Sequence, residues 1–188
     1  MRKVIVLCAA ALAIPAFAKI EMGAPFTDGV VLQRGREVPV WGKADPGKKV
    51  AVEFAGNEVS AIVGKCGCWK VMLPSMEASK EDRVMRVTEI EDGWFGSVTD
   101  EVKIKDVLVG EVWMCAGQSN TDCPIWGNSP RYRDGWGAMT LTSVKKPFVR
   151  LVKTPLVASV EPRYGYKAEW MKMTPEMLEA WKKGEKIP

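Results

Sequence analysis

The stretch from residue 38 to residue 54 reads VPVWGKADPGKKVAVEF. It contains two short runs, Val38–Gly42 and Val50–Phe54, in which apolar side chains occupy alternate positions, the pattern of a half-buried β-strand. Between them, Asp45-Pro46-Gly47 places proline second and glycine third in a tight turn, as a type II turn requires. The stretch therefore predicts two strands joined by a turn.

The same alternation continues outward from this pair, with turn residues such as Gly56-Asn57 between the runs. No segment of helical period interrupts it. The further strand patterns are Val59–Val63, Trp69–Leu73 and Met85–Val87. Short strands at such regular spacing are typical of an antiparallel β-sandwich, which we predict for residues 19–105.

The pattern changes near Asp106. The run Val112–Cys115 is almost continuously apolar and predicts a strand buried on both faces, as in a parallel α/β sheet. Farther on, Thr174-Pro175-Glu176 has the cap, the proline and the acid that open a helix. We therefore predict a mixed fold, in which the β-sandwich domain is followed over residues 106–188 by the start of an α/β domain. Those 83 residues fall short of the ~100–200 of a full domain of that kind, so we expect this second domain to be incomplete.

Residues 1–18 have the composition of a signal peptide. Arg2 and Lys3 precede a short apolar run, and Ala16-Phe17-Ala18 fits the small-x-small rule for cleavage before Lys19. The run is too short to span a bilayer, although an uncleaved N-terminal anchor is the alternative. We expect a secreted or periplasmic protein.

The charge balance and the cysteine content argue against several classes of protein. Without residues 1–18, 25 basic side chains stand against 23 acidic ones, which does not resemble a nucleic-acid binder. No later apolar run is long enough for a membrane span. The chain contains no histidine, and its cysteine spacing is not that of a zinc site, so no metal is predicted. The cysteines that remain are Cys66, Cys68, Cys115 and Cys123; a bond between the first two would be uncommon, the last two could bridge, and the sequence does not choose among the pairings.

Ser119 is the candidate nucleophile. It follows the apolar run Val112–Cys115 on a turn that Gly117 makes possible, which is how several hydrolase folds present a serine. Backbone N–H groups after such a turn can stabilise an oxyanion, and the serine itself needs a base, usually histidine. Gly-Gln-Ser-Asn alone is also an ordinary turn sequence, and Thr121 stands where the Gly-x-Ser-x-Gly elbow has its second glycine.

Longer blocks carry a family resemblance. The string Asp106–Asn120, DVLVGEVWMCAGQSN, closely resembles the nucleophile block of the sialate O-acetylesterase family. Upstream, Phe26–Arg34 and Val38–Gly47 resemble the opening of that family. Its next landmarks are similar to Val149-Arg150-Leu151, Trp170 and Thr174-Pro175-Glu176, so the resemblance runs from about Phe26 to Glu176 in family order.

The resemblance implies an SGNH-type serine esterase that removes O-acetyl groups from sialic acid or related glycans through an acyl-serine intermediate, without metal or organic cofactor. Ser119 matches the nucleophile, and Gly117, Gln118 and Asn120 match the motif residues that shape the turn. The implied partner is an acetylated carbohydrate, and the oligomeric state stays open. The family's later blocks, which supply an Asp/His pair, have no counterpart here, so we expect a truncated chain with little activity alone.

Some departures and weaker candidates remain. After Asn120 the family usually has Met, an acid, an aromatic residue and Pro, whereas this chain has Thr121-Asp122-Cys123-Pro124. Asp122 could be a catalytic acid, and Arg131, Arg133 and Asp134 could bind a sugar carboxylate, but side chains of these types more often belong to a plain solvated loop, which is the favoured interpretation.

Two other functions are compatible with the sequence. A secreted β module could bind a glycan on exposed aromatic residues such as Trp94, although most of the eight tryptophans are expected in the core or on strand faces. The chain could also be a non-functional product with an unstable second half.

Overall fold

The computed structural model describes residues 20–91, 96–117, 148–154, 160 and 168–176. These residues form ten strands in chain order. The strands are β1 (Glu21–Met22), β2 (Val31–Gln33), β3 (Val38–Lys43), β4 (Lys49–Phe54), β5 (Asn57–Ile62), β6 (Cys68–Leu73), β7 (Ser79–Glu91), β8 (Ser97–Gly110), β9 (Arg150–Leu151) and β10 (Met171–Lys172).

Two sheets make up the larger part of the described structure. A three-stranded sheet has the order β1-β3-β6, with both pairs antiparallel. A five-stranded sheet has the order β2-β8-β7-β4-β5, in which every pair is antiparallel except β2 with β8, which is parallel. The β-rich fold predicted for residues 19–105 is confirmed, and the parallel pair was not predicted.

The two sheets share one hydrophobic core. In β6 every second residue is buried, and in β3 alternate residues are buried as the sequence pattern predicts. The core combines side chains from both sheets, among them Val40, Leu73, Val52, Phe54, Met85 and Val87. At ~25 cal/mol per Å² of apolar surface removed from water, this shared core is the main source of stability.

The tryptophans of the described residues are divided between core and surface. Trp69 is buried, and Trp41 packs edge-on against Phe26 with ring centroids 4.7 Å apart. Trp170 is partly buried against the same core. Trp113 is 83% exposed. Three of these four tryptophans therefore have the packing role that we expected for most of them.

One charged side chain lies within the core. Glu89 in β7 is 1% exposed, and its carboxylate accepts hydrogen bonds from the Thr99 hydroxyl at 2.7 Å and the Asp45 backbone N–H at 3.1 Å. Buried carboxylates need such donors to offset the loss of water. The Glu89 side chain thus ties β7 and β8 to the turn after β3.

Two turns were predicted from the positions of glycine residues, and both can be compared with the structure. Gly47 has φ of +83°, and the Lys48 N–H donates to the Asp45 carbonyl, as the predicted Asp-Pro-Gly turn requires. Between β4 and β5 the turn residues are Ala55 and Gly56, both with positive φ (52° and 78°). Two positive φ values are the signature of a type I′ hairpin turn. The turn is therefore centred one residue before the Gly56-Asn57 pair that the sequence suggested.

The last long strand, β8, passes through the predicted domain boundary at residues 105/106 and ends at Gly110. The division into two domains itself stays a prediction. Beyond it, the described residues add the two-stranded sheet β9–β10 and a helix that begins at Pro175, as predicted from Thr174-Pro175-Glu176. The described ranges do not contain the predicted α/β sheet, which also stays a prediction. Within them, no helix is both long and apolar enough to cross a membrane.

Candidate active site

The chain leaves β8 at Gly110 and leads to the predicted nucleophile turn. Residues 111–117 are not in a strand, and Val112, Trp113 and Met114 are 41%, 83% and 91% exposed. The prediction of a buried strand over Val112–Cys115 is therefore wrong, because none of the described residues forms a strand beside this segment. A continuous apolar run is buried only where neighbouring strands cover it.

Of the four predicted motif residues, only Gly117 lies among the described residues, where it is exposed. Ser119, Gln118 and Asn120 lie outside the described residues, and so do Asp122, Arg131, Arg133, Asp134 and Trp94. The structure can therefore test the predicted site only in the segments that precede Ser119 and in those that contact the end of β8.

The first of these segments is the end of β2, which fixes the direction of the chain as it leaves β8. The Gln33 amide donates to Glu111 at 3.1 Å and accepts from the Val112 N–H at 2.9 Å. The Arg34 guanidinium donates to Glu111 at 2.9 Å, and the Arg34 N–H donates to the Gly110 carbonyl at 2.9 Å. Both strand ends are thus joined by main-chain and side-chain bonds.

These contacts also affect the ionisation of Glu111. Hydrogen bonds from Arg34, and then from Gln33, lower the pKa of the Glu111 carboxyl below its usual value. The pair of Arg34 and Glu111 is about half exposed, with side-chain exposures of 52% and 50%. Because exposed ion pairs contribute little, its role is to orient the chain rather than to stabilise the fold.

The strand β8 contains a bulge where it pairs with β7. Between Met85↔Ile104 and Arg83↔Val107, β8 uses one residue more than β7. Asp106 lies in this bulge with a φ of +57°, a left-handed conformation that aspartate tolerates better than most residues. Bulges commonly redirect a side chain out of the regular ladder.

The Asp106 carboxylate binds two cations from the small sheet β9–β10. One oxygen accepts from Arg150 at 2.9 Å and the other lies 2.6 Å from Lys172 Nζ. The Arg150 side chain is 3% exposed and that of Asp106 18%. We call this three-residue group the Asp106 clasp. It is a charge cluster, buried at Arg150 and about half exposed at Lys172, that attaches β9 and β10 to β8 at the first residue of the nucleophile block.

Two opposing effects act on the Asp106 carboxyl. Burial alone would raise its pKa, but the hydrogen bond from Lys172, with the positive charges of Arg150 and Lys172, outweighs burial and holds the pKa below its ordinary value. The carboxylate is therefore charged at neutral pH, as its two cationic partners require.

Apolar and hydrogen-bonding contacts support the clasp. The Trp170 indole N–H donates to the Pro25 carbonyl at 2.8 Å, and the Thr27 hydroxyl donates to the Ala168 carbonyl at 2.9 Å. A Cβ built on Gly29 would lie 3.2 Å from Trp170 Cβ, and Gly29 has φ of +84°. Glycine at this position therefore allows both the backbone turn and the close approach of Trp170.

Sequence reasoning named these segments only through the family resemblance and missed the roles of individual side chains. The Gln33 and Asp106 contacts were not predicted, because each joins residues that lie far apart in the chain. The available signal was local: Asp106 is a charged residue at the start of the buried run Val107–Val109. A charge in such a position usually has a partner.

The cysteines and possible metal ligands give a limited picture. Cys66, Cys68 and Cys115 are free thiols in the structure, and Cys123 lies outside the described residues. Among the residues that the structure describes, no group of three or more His, Cys, Asp or Glu side chains is placed to hold a metal ion.

Comparisons with known proteins bear on the resemblance. No family model matches the chain. The sialate O-acetylesterase of Pongo abelii is 25% identical over 145 residues, which cover 74% of this chain and 26% of that protein. The human sialate O-acetylesterase is 30% identical over 92 residues, or 46% of this chain and 17% of that protein. The chain thus spans about a quarter or less of the length of these relatives.

A solved structure gives an independent match. The crystal structure of a carbohydrate acetylesterase from Xanthomonas citri is similar with a TM-score of 0.67 and 31% sequence identity, covering 84% of this chain and 33% of that one. Sequence and structure thus lead to the same group of proteins. They confirm the resemblance to the sialate O-acetylesterase family that was predicted from the nucleophile block and its flanking segments.

Proposed function

We propose that the chain is part of a serine esterase that removes O-acetyl groups from sialic acid or related glycans. The names of its relatives, sialate O-acetylesterase and carbohydrate acetylesterase, support an acetylated carbohydrate as the substrate. The proposal includes export through the signal peptide of residues 1–18 and an α/β catalytic region that begins near Asp106. Neither a metal nor an organic cofactor takes part in the proposed reaction.

The observation that carries the proposal is the convergence of the family-like blocks on one end of β8. Val31–Gln33 pairs with Leu108–Gly110. Arg150 and Lys172 bind Asp106. Segments that are far apart in the sequence thus meet around the strand that leads to the nucleophile turn. Such an arrangement is expected if the blocks share one function, namely to hold that turn in place.

Ser119 is the proposed nucleophile. Its Oγ attacks the acetyl carbonyl carbon, the sugar hydroxyl leaves, and water then releases acetate from the acetyl-serine. The Ser119 N–H is the proposed oxyanion donor, with Gly117, Gln118 and Asn120 shaping the turn. A serine hydroxyl needs a base to be deprotonated at neutral pH, and the 188 residues contain no histidine.

The test therefore supplies a base from solution. Acetate release from O-acetylated sialic acid is measured with the purified chain, with and without added imidazole, after subtraction of the rate with imidazole alone. We expect slow hydrolysis that imidazole accelerates and that Ser119→Ala abolishes. Ser129→Ala is the matched control, because Ser129 lies in the polar segment of the sequence that follows the motif and is expected to retain the wild-type rate.

Two results would count against the proposal. One is an imidazole response that Ser119→Ala leaves unchanged, which would exclude Ser119 as the nucleophile. The other is the absence of any rate above the imidazole background, combined with specific binding of the same glycan. That combination would favour the alternative of a non-catalytic glycan-binding module.

A further inference from the structure

A pair of thiols lies at the turn between β5 and β6, on the part of the molecule that the proposed esterase reaction does not use. The segment is Cys66-Gly67-Cys68, with Cys66 exposed and Cys68 partly exposed. Both side chains lie close to the same backbone segment: the Cys68 N–H donates to Cys66 Sγ at 3.3 Å, and the Cys68 thiol donates to the Cys66 carbonyl at 3.6 Å.

The turn itself is held in one conformation. The Gly67 N–H donates to the Gly64 carbonyl at 2.9 Å, and the Gly64 N–H donates to the Cys68 carbonyl at 3.0 Å. Gly67 has φ of +74°, and its carbonyl accepts from the Ala44 N–H at 2.9 Å. The two cysteines are thus kept together by backbone bonds rather than brought together by chance motion of a loose loop.

The two thiols differ in their surroundings. The neighbouring Cys68 side chain, followed by the hydrogen bond from the Cys68 N–H, lowers the pKa of the Cys66 thiol. The neighbouring Cys66 side chain, followed by burial, raises the pKa of the Cys68 thiol. Lys43, which pairs with Cys68 across the sheet, adds positive charge beside both. An exposed thiol with thiolate character beside a second thiol is typical of cysteines that exchange with disulfides.

From this geometry we propose that Cys66 and Cys68 form a reversible dithiol–disulfide site that reacts with small aliphatic disulfides. The Cys66 thiolate attacks one sulfur of the disulfide and forms a mixed disulfide, expelling one thiolate. Cys68, having lost its proton to solvent, then attacks Cys66 Sγ and expels the second thiolate. The protein loses two electrons and two protons, and the reagent gains them as two thiols.

The expected product is a labile bond rather than a structural one. A disulfide across only one intervening residue closes a small, strained ring, and strained or exposed disulfides are readily reduced. A metal site is a poor alternative, because among the described residues no third His, Cys, Asp or Glu side chain joins the pair. The site is independent of Ser119 and does not depend on the esterase proposal.

The sequence offers a direct readout. Trypsin cleaves after Lys65 and Lys70, which releases both cysteines in the peptide CGCWK. The full chain is equilibrated with oxidised glutathione, quenched in acid, alkylated and digested. We expect this peptide to pass from the doubly alkylated form to an unalkylated form lighter by two hydrogen atoms than the free dithiol. Dithiothreitol is expected to reverse the change.

Single variants assign the roles. In Cys68→Ser we expect a stable glutathione adduct on Cys66, whereas in Cys66→Ser the reaction at Cys68 should be at least about tenfold slower. Circular dichroism of each variant checks that the fold is kept, and Cys115, also exposed, is the internal comparison. Glutathione adducts without the loss of two hydrogens would overturn the proposal. Equal reaction rates at Cys66 and Cys115, or protection of both thiols from alkylation by Zn²⁺ alone, would also overturn it.

Discussion

Two neighbouring apolar runs, Val107–Val109 and Val112–Met114, have similar composition and opposite environments. The first is 0–4% exposed and lies in β8, with β2 on one side and β7 on the other. The second is 41–91% exposed and follows the end of the same strand. The difference shows that an apolar run can be buried but does not by itself ensure burial. Whether the run is buried depends on strands elsewhere in the chain.

The largest expected effect comes from placing a charge in each run. Val107→Asp puts an unpaired carboxylate in the core and should cost more than about 4 kcal/mol of unfolding free energy, enough to unfold many domains. Val112→Asp, on the exposed run, should change it by less than about 0.5 kcal/mol. Urea denaturation followed by tryptophan fluorescence measures both. Equal losses in the two variants would mean that the exposed run is buried in solution.

The next effect tests the attachment of β9–β10 to the buried run. Asp106→Asn keeps a residue that tolerates positive φ but removes the charge that binds Arg150 and Lys172. Because it leaves a buried guanidinium without this carboxylate, we expect a loss of about 2–4 kcal/mol in urea denaturation. Lys172→Gln, which removes the more exposed partner, should cost less. Equal and small losses in both variants would indicate that the clasp is not formed in solution.

The pH dependence of stability sharpens the same point. Since the folded-state pKa of Asp106 lies below its unfolded value of about 3.9, the contribution of this carboxylate is complete above that value. It is lost as the pH falls through the folded-state pKa. Thermal melts from pH 7 down to about pH 2 should therefore show a steeper loss below about pH 4 in the wild type than in Asp106→Asn. Parallel curves would contradict this assignment.

The smallest effect is expected at the exposed pair that follows β8. Glu111→Gln removes the charge that binds Arg34 but keeps a side chain able to accept a hydrogen bond. Because both partners are about half exposed, the loss of unfolding free energy should be far below that of Asp106→Asn and smaller still at high salt. Denaturation at low and high salt checks this. A loss as large as that of Asp106→Asn would assign the pair a structural role.

How far the sequence predicted the fold depends on the range of the interactions. The strands β3, β4 and β6 were found from alternation, which is a local property, and the Asp45-Pro46-Gly47 turn from its residue types. The full length of β8 and its parallel pairing with β2 were missed, since β2 has only three residues and its partner comes late in the chain. Pairing over such distances leaves no local pattern.

The candidate site divides in the same way. The resemblance identified the blocks around Phe26, Asp106 and Arg150, but the contacts between them depend on a bulge and a left-handed residue that no periodic pattern indicates. The predicted strand at Val112–Cys115 was wrong for a different reason. The apolar run is present in the sequence, but none of the described strands lies beside it to form a sheet. The apolar pattern of a segment predicts that it can form a buried strand, and the topology of the sheet determines whether it does.

The parallel pair β2–β8 also has a consequence for the order of folding. Arg34 and Glu111, at its end, are 77 residues apart, and five of the six other strands of the two main sheets, β3 to β7, are made between them during synthesis. Hairpins such as β4–β5 close early, whereas β2 has no partner until β8 is complete. The step that finishes the five-stranded sheet is therefore also the step that fixes the direction of the chain as it leaves β8, and a folding intermediate that lacks it leaves that direction unset.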